Sequence, residues 1–205
     1  MNRHAGSSSS AAPQVNPWKR LSRRVTYQNP WIVVHEDEVI RPDGKPGIYG
    51  VVHFRHRAIG VVPFDHGRVL LVGQYRYPLD RYSWEIPEGG GTLDEEPLAA
   101  AQRELAEETG FSAAKWQVIL RSHLSNSVSD EEAVCYVATG LKPGMARPEG
   151  TEVLQVRWAK LEEALAMIDQ GEITDALSVM GIQRLALLQG SSADGYQFTK
   201  EPSES

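Results

Sequence analysis

The chain has 205 residues and a mass of 22.7 kDa, enough for one domain, or one domain with a small accessory sheet, around an ordinary core. Hydrophobic, charged and aromatic residues make up 41%, 23% and 8% of it, which excludes collagenous, membrane-embedded and largely disordered classes. A formal net charge of -6 and a pI near 5.5 exclude a broad basic surface for nucleic acid, while a small anionic ligand held by local cations or a metal stays open.

Residues 1–16 are rich in Ser, Ala and Pro and read as a disordered tail. The stretch lacks the apolar core of a secretory signal, and no run approaches the roughly 18 apolar residues of a membrane span, so a cytoplasmic location is expected. The first acidic residue is Glu36, and an acid-free leader is also what an organellar transit peptide carries; that alternative stays open. Residues 17–57 read as an N-terminal antiparallel region, with WIVVHEDEVI and IYGVVHFRHR forming a hairpin about the turn RPDGKPG.

From residue 58 a second β-rich block follows, AIGVVPF and RVLLVGQYRY, separated by DHG. The proline and consecutive glycines of SWEIPEGGGTLDEE predict a loop whose backbone approaches a ligand closely. Residues 97–109 give the strongest helix signal, with Pro97 in the first turn and Gly110 as the stop. Strands are then expected in KWQVILRSH, EAVCYVATG and TEVLQVRWA, and helices in KLEEALAMIDQ and TDALSVMGIQRLALLQ, the latter with Thr174 as N-cap. Residues 190–205 read as a flexible polar tail. The order predicts an α/β fold, a mixed sheet covered by helices. The single cysteine, Cys135, lies in an apolar run and reads as a buried small hydrophobe.

The chemistry concentrates in the helix at 97–109. At about 100° per residue, Glu104, Glu107 and Glu108 fall within one arc and Leu98, Ala101 and Leu105 within the next, so an apolar face docks and an acidic face stays free to bind. Glu104 and Glu108 form a like-charge pair at i,i+4, and Arg103 is the nearby cation, at i,i+4 to Glu107. A solvated face is the plain reading of such a triplet. A divalent cation relieves the repulsion, and oxygen ligands without His or Cys select Mg²⁺, with Mn²⁺ possible.

The spacing around the helix is specific: Gly89, five residues, Glu95, seven residues, Arg103-Glu104, two residues, Glu107-Glu108, one residue, Gly110. This resembles a complete Nudix box, the signature of hydrolases acting on a nucleoside diphosphate linked to another moiety. GQYRYP, SWEIPEGG and GEITDALSVMGIQRLAL extend the likeness to the ADP-ribose and nucleoside-diphosphate-sugar pyrophosphatase branch over roughly residues 30–189. The resemblance implies a Nudix α/β/α sandwich over 58–189, with N-terminal strands at 17–57 building a homodimer, and a small-molecule substrate with no nucleic-acid or membrane partner.

Carried over residue by residue, the resemblance makes Glu104, Glu107 and Glu108 the box carboxylates, with Glu104 and Glu108 foremost as metal ligands and Glu88 adding a backbone carbonyl beside Gly89. Glu107 and Arg103 are then catalytic, Arg103 orienting a box carboxylate together with Glu95. The general base comes from PEGTEVLQV, which offers Glu152 and Glu149, with Glu152 favoured by its place before a strand. Substrate contacts are expected from Arg76, by bidentate pairing with phosphate, from Glu85 and Gly89, and from Tyr75 and Trp84, which either stack on a base or sugar or pack in the core. Arg55, Arg57 and Arg81 are weaker phosphate candidates, and His53 and His56 have no metal-ligand spacing.

One departure bears on substrate. ADP-ribose enzymes usually carry Ser-Pro-Gly about fifteen residues past the box, and here SNSVSDE puts Asn126 and Ser127 in the Pro-Gly place, with Asp130 and Glu131 behind them. A broader nucleoside-diphosphate-sugar hydrolase is therefore as well supported as a strict ADP-ribose enzyme. A non-catalytic ligand sensor and an RNA 5′-end pyrophosphohydrolase are the alternatives, disfavoured by the intact carboxylates and the acidic charge respectively.

Overall fold

The structure, a computed structural model, describes residues 15–146 and 154–193, with side chains through residue 190. The chain divides into two compact units between His53 and Phe54, a few residues before the boundary expected at 57/58.

The first unit is a three-stranded sheet in the order β1 (Lys19–Gln28), β2 (Ile32–Ile40), β3 (Pro46–Phe54). The hairpin of β2 and β3 is the expected one, turning at Gly44 with φ +80, where a side chain would be strained. Strand β1 lies outside the expected hairpin, because KRLSRRVTYQ has too few apolar residues to show a pattern. Its partner explains it: Ser22, Arg23 and Arg24 lie opposite Glu38, Asp37 and Glu36, so a basic strand pairs with an acidic one. Arg23 grips Asp37 with Nε–Oδ1 at 2.7 Å and Nη2–Oδ2 at 2.8 Å.

The second unit is a seven-stranded mixed sheet. Its path is β10 (Gln155–Lys160), β5 (Arg68–Arg76), β4 (His56–Asp65), β9 (Glu131–Pro143), β8 (Phe111–Leu124), with β6 (Arg81–Glu85) beside β5 and β7 (Glu88–Thr92) beside β4. Among the described residues only β4 and β9 run parallel; the other pairs of this sheet are antiparallel. Strand β4 pairs with β7 over His56–Gly60 and with β5 only at Phe64–Asp65, so the sheet forks along β4. The link Ile86-Pro87 spans that fork, tied by the Val61 N–H donating to the Pro87 carbonyl at 2.9 Å.

Helices cover both faces, giving the expected α/β/α sandwich. On one side α1 (Pro97–Thr109) buries Ala100, Ala101 and Leu105 against Ile59, Val61, Val134 and Tyr136. On the other, α2 (Leu161–Asp169) and α3 (Ala176–Ala193) pack Met167, Leu177, Ile182 and Leu185 against Val62, Leu71, Ile86 and Cys135. Alternate residues of β4 serve the two cores, as a strand covered on both faces requires.

Three expectations change. EGGGT is a strand, not a loop: β7 pairs along β4, and its glycines serve close approach to α1, since a Cβ on Gly91 would lie 2.9 Å from the Ala100 Cβ. The N-cap of α3 is Asp175, whose Oδ2 accepts the Ser178 N–H at 2.7 Å, one residue beyond Thr174. And α3 continues to Ala193, past the start of the tail expected at 190. Among the described residues no helix is long and apolar enough to cross a membrane.

Candidate active site

Helix α1 occupies the bounds its terminal residues dictate. Pro97 opens it, and Gly110, with φ +74, closes it by donating its N–H to the Ala106 carbonyl at 3.0 Å. The acidic face is not uniformly free. Glu107 is about one-third exposed, whereas Glu104 and Glu108 are buried on the side that meets β7. The reason is the glycine strand: a Cβ on Gly89 would lie 2.3–2.4 Å from the Glu104 carboxyl atoms, so only glycine leaves room for that carboxylate. Glu108 Oε2 accepts the Glu88 N–H at 3.2 Å.

Arg103 ties the cluster together. Its Nη1 donates to Glu104 Oε1 at 2.6 Å and Glu107 Oε2 at 3.1 Å; its Nη2 donates to the Gly90 carbonyl at 3.0 Å and to Glu95 Oε2 at 3.2 Å. One guanidinium thus joins two box carboxylates, Glu95 and the glycine strand. Hydrogen bonds to Glu95, Glu104 and Glu107, with the Glu104 charge, hold its pKa above the ordinary arginine value, outweighing burial.

The Arg76 guanidinium lies in a second carboxylate group. Its Nε donates to Glu85 at 2.9–3.0 Å, and its Nη2 reaches Glu85 Oε2 at 2.5 Å and Glu88 Oε1 at 2.7 Å. The Glu85 side chain is buried in this pairing. Burial pushes the Glu88 carboxyl well above the usual carboxylate range, with the charges of Asp175 and Glu85 adding to the rise and Arg76 opposing it. The sequence predicts a role for the Glu88 backbone; the nearness of its side chain to Asp175 has no sequence signal, because β7 and the start of α3 meet across 87 residues.

Tyr75 and Trp84 do not join this group. Antiparallel partners share a face, and the pairs Gly73–Trp84 and Tyr75–Tyr82 alternate with Gln74–Ser83 and Arg76–Arg81. Arg76 and Glu85 therefore face one side of the β5–β6 ribbon and Tyr75 and Trp84 the other. Trp84 packs against the core under α2 and α3, with the Arg157 guanidinium 5.6 Å from its ring centroid. The Tyr75 hydroxyl donates to Asp80 Oδ1 at 2.5 Å. Of the weaker arginines, Arg57 pairs with Glu132 at 3.2 Å and Arg81 with the Thr174 hydroxyl.

The segment SNSVSDE forms the turn from β8 to β9, closed by the Val128 and Ser129 N–H groups on the Ser125 carbonyl at 2.9 and 3.0 Å. Asp130 Oδ1 accepts the Phe54 N–H at 3.1 Å. Burial, followed by the charges of Asp175 and Asp130, raises the Glu131 pKa. Glu149 and Glu152 lie outside the described residues.

The donors around α1 suit a hard divalent cation in type: carboxylates Glu104, Glu107 and Glu108 with the Glu88–Gly89 backbone, and neither His nor Cys. Among the described residues no three such side chains converge on a ready-made cage. Arg103 bridges Glu104 and Glu107 in the geometry seen, so a cation would share those carboxylates with it.

A family model described as NUDIX domain matches residues 54–177, and one described as nucleoside diphosphate sugar hydrolase N-terminal domain matches residues 18–52. The chain is 33% identical over 172 residues to an ADP-ribose pyrophosphatase of Mycobacterium tuberculosis (strain ATCC 25618 / H37Rv), covering 80% of this chain and 81% of that protein. It is 31% identical over 180 residues to an ADP-ribose pyrophosphatase of Bacillus subtilis (strain 168), covering 85% and 96%. A crystal structure described as an ADP compounds hydrolase superposes with a TM-score of 0.79 over 88% of this chain and 98% of its own, at 18% identity, a likeness of fold.

Proposed function

The chain belongs to the NUDIX family and is a Nudix hydrolase, and on that premise we propose that it hydrolyses the diphosphate bond of ADP-ribose or a related nucleoside diphosphate sugar, giving a nucleoside monophosphate and a sugar phosphate. The observation that carries this reading is the pair of buried carboxylates, Glu104 and Glu108, set against the backbone of Glu88 and Gly89. Burying two carboxylates on one helix face costs stability unless charge is brought to them. The names of the relatives that align along most of the chain, and the nucleoside-diphosphate-sugar match at its N-terminus, supply the substrate class.

Glu104 and Glu108, with Glu107 and the Glu88 carbonyl, are the residues that would hold the cation, Mg²⁺ or alternatively Mn²⁺. Bound there, it supplies neutralising charge to the diphosphate and lowers the pKa of the attacking water. Arg103 fixes the carboxylates from behind and, through Glu95 and the Gly90 carbonyl, locks α1 to β7. Arg76 has Nε and Nη2 engaged by Glu85 and Glu88, and presents Nη1 to a phosphate oxygen. Glu152, or else Glu149, takes the proton of the water. The N-terminal sheet, with Leu21, Val25 and Tyr27 of β1 each more than half exposed, supports a homodimer as the working form. Such an enzyme would act in the cytoplasm.

The test is a panel of ADP-ribose, ADP-glucose, GDP-mannose, UDP-glucose, NADH and diadenosine polyphosphates with Mg²⁺, with products separated by chromatography. Turnover of ADP-ribose or a nucleotide sugar to a nucleoside monophosphate is expected. Binding without turnover across the panel would replace the enzyme by a ligand sensor.

A further inference from the structure

On the Arg76 face of the β5–β6 ribbon, the rungs run outward from the box as Val72–Glu85, Gln74–Ser83 and Arg76–Arg81. Two arginines therefore end the ribbon on one rung, and like charges directly opposite each other destabilise a strand pair unless each is met. Arg76 is met. Its guanidinium folds back to Glu85, two rungs nearer the box, at 2.9–3.0 Å, and to Glu88 Oε1 at 2.7 Å.

Arg81 is exposed, its Nη2 donates to the neutral Thr174 hydroxyl, and among the described residues no carboxylate pairs with it. Asp80, its neighbour in the chain, is held on the opposite face, where Oδ1 accepts the Tyr75 hydroxyl at 2.5 Å. Thr174 belongs to a segment fixed along the free edge of β6: the Trp84 N–H donates to the Glu172 carbonyl at 3.2 Å and the Ile86 N–H to the Ser178 hydroxyl at 3.0 Å. Arg81 is thus oriented while its charge stays uncompensated. The intervening rung is polar as well. Gln74 Nε2 reaches Glu85 Oε2 at 3.5 Å, and the Ser83 hydroxyl, on a residue only 2% exposed, has no hydrogen-bond partner among the described residues. A buried hydroxyl left unpaired costs stability, which a ligand oxygen lying on this face relieves.

We propose that Arg81 is a specificity-determining residue that pairs with an oxyanion the substrate carries beyond its diphosphate, a phosphate monoester on one of the two flanking riboses. The inference rests on the reading of the chain as a nucleoside diphosphate hydrolase with Arg76 at the diphosphate. From Glu85 to Arg81 is about 13 Å at the ordinary rise of a strand, longer than a diphosphate group, so the two arginines serve different parts of the ligand. A guanidinium held by one nitrogen keeps its other N–H groups for phosphate oxygens.

The test uses the full chain with Mg²⁺ and three compounds: ADP-ribose, ADP-ribose phosphorylated at the adenosine 2′ position, and ADP-ribose phosphorylated at the 1″ position of the terminal ribose. Wild type should favour one phosphorylated compound over ADP-ribose by about tenfold or more in kcat/KM, chiefly through KM, and the favoured one identifies the moiety that faces Arg81. Arg81→Gln should bring that ratio close to one, and Arg81→Lys to an intermediate value, because lysine keeps the charge without the fork. No preference for either phosphorylated compound in the wild type overturns the proposal. So does a preference that survives in Arg81→Gln, the result of a merely structural arginine, whose loss lowers turnover of all three compounds together. If the wild type cleaves none of the three, the hydrolase reading falls by itself. The same ratios are then read from dissociation constants by calorimetry, and equal constants for the three ligands overturn the proposal.

Discussion

Gly89 and Gly91 lie two residues apart on β7, yet substituting them should have different consequences. A Cβ at Gly89 would meet the Glu104 carboxyl at 2.3–2.4 Å, and the end of a flexible side chain can move aside. Gly89→Ala should therefore fold with a near wild-type thermal midpoint and lose most of its turnover, measured in parallel by calorimetry and product assay. A Cβ at Gly91 would meet the Ala100 Cβ at 2.9 Å, where helix and strand must separate. Gly91→Ala should lose about 1–3 kcal/mol of stability in denaturant titration. Cys135 offers a third test: burial, with the nearby charges of Glu88 and Asp175, pushes its thiol up to about 12. The thiolate is the reactive form, so native protein at neutral pH should resist iodoacetamide while unfolded protein reacts at once. At this scale the box residues could be read from their spacing. Asp175 and the Glu88 side chain could not, because each is an ordinary residue of a turn or strand until the fold joins them. The D-x-x-S spacing of Asp175 and Ser178 does mark a cap, and it was the one local signal available.

Among elements, α1 was the easiest to read, because Pro97, Gly110 and its apolar periodicity agree on the same bounds. Its docking rests on Leu105, fully buried against the sheet, and Leu105→Ala should cost about 2–5 kcal/mol while weakening the seat of Glu104 and Glu108. Strand β7 differs from the expected loop because three consecutive glycines argue against a strand, and the close approach that requires them is a tertiary fact. Strand β1 has no legible pattern of its own, because its partner defines it. The Arg23–Asp37 pair in that sheet has a pH signature. The hydrogen bonds from Arg23 hold the Asp37 pKa below 3.8, so its contribution is complete above that value and is lost as pH falls through the lower folded value. Asp37→Asn should reduce stability at pH 7 by no more than about 1 kcal/mol, since Arg23 is partly exposed, and should converge with wild type only as pH falls through the lowered folded value.

At the scale of the molecule, order and composition pointed to the architecture: β-rich, helix, β-rich, helices resolves into a sheet covered on both faces. The parallel pairing of β4 with β9, separated in the chain by β5–β8 and α1, is set by which apolar strands must lie between two helical layers. What a single sequence could not convey is how the fork in the sheet brings Arg76, Glu85 and Glu88 together on the residues before the box. Helix α1 and strand β7 act as one device: glycine backbone on one side, carboxylates on the other, and Arg103 locking them. Steady-state hydrolysis of ADP-ribose with Mg²⁺ by wild-type protein and by Glu108→Gln, with folding checked by circular dichroism, tests it most directly. AMP and ribose 5-phosphate are expected from the wild type and no turnover from a folded variant; full activity in Glu108→Gln would remove the metal role of that carboxylate.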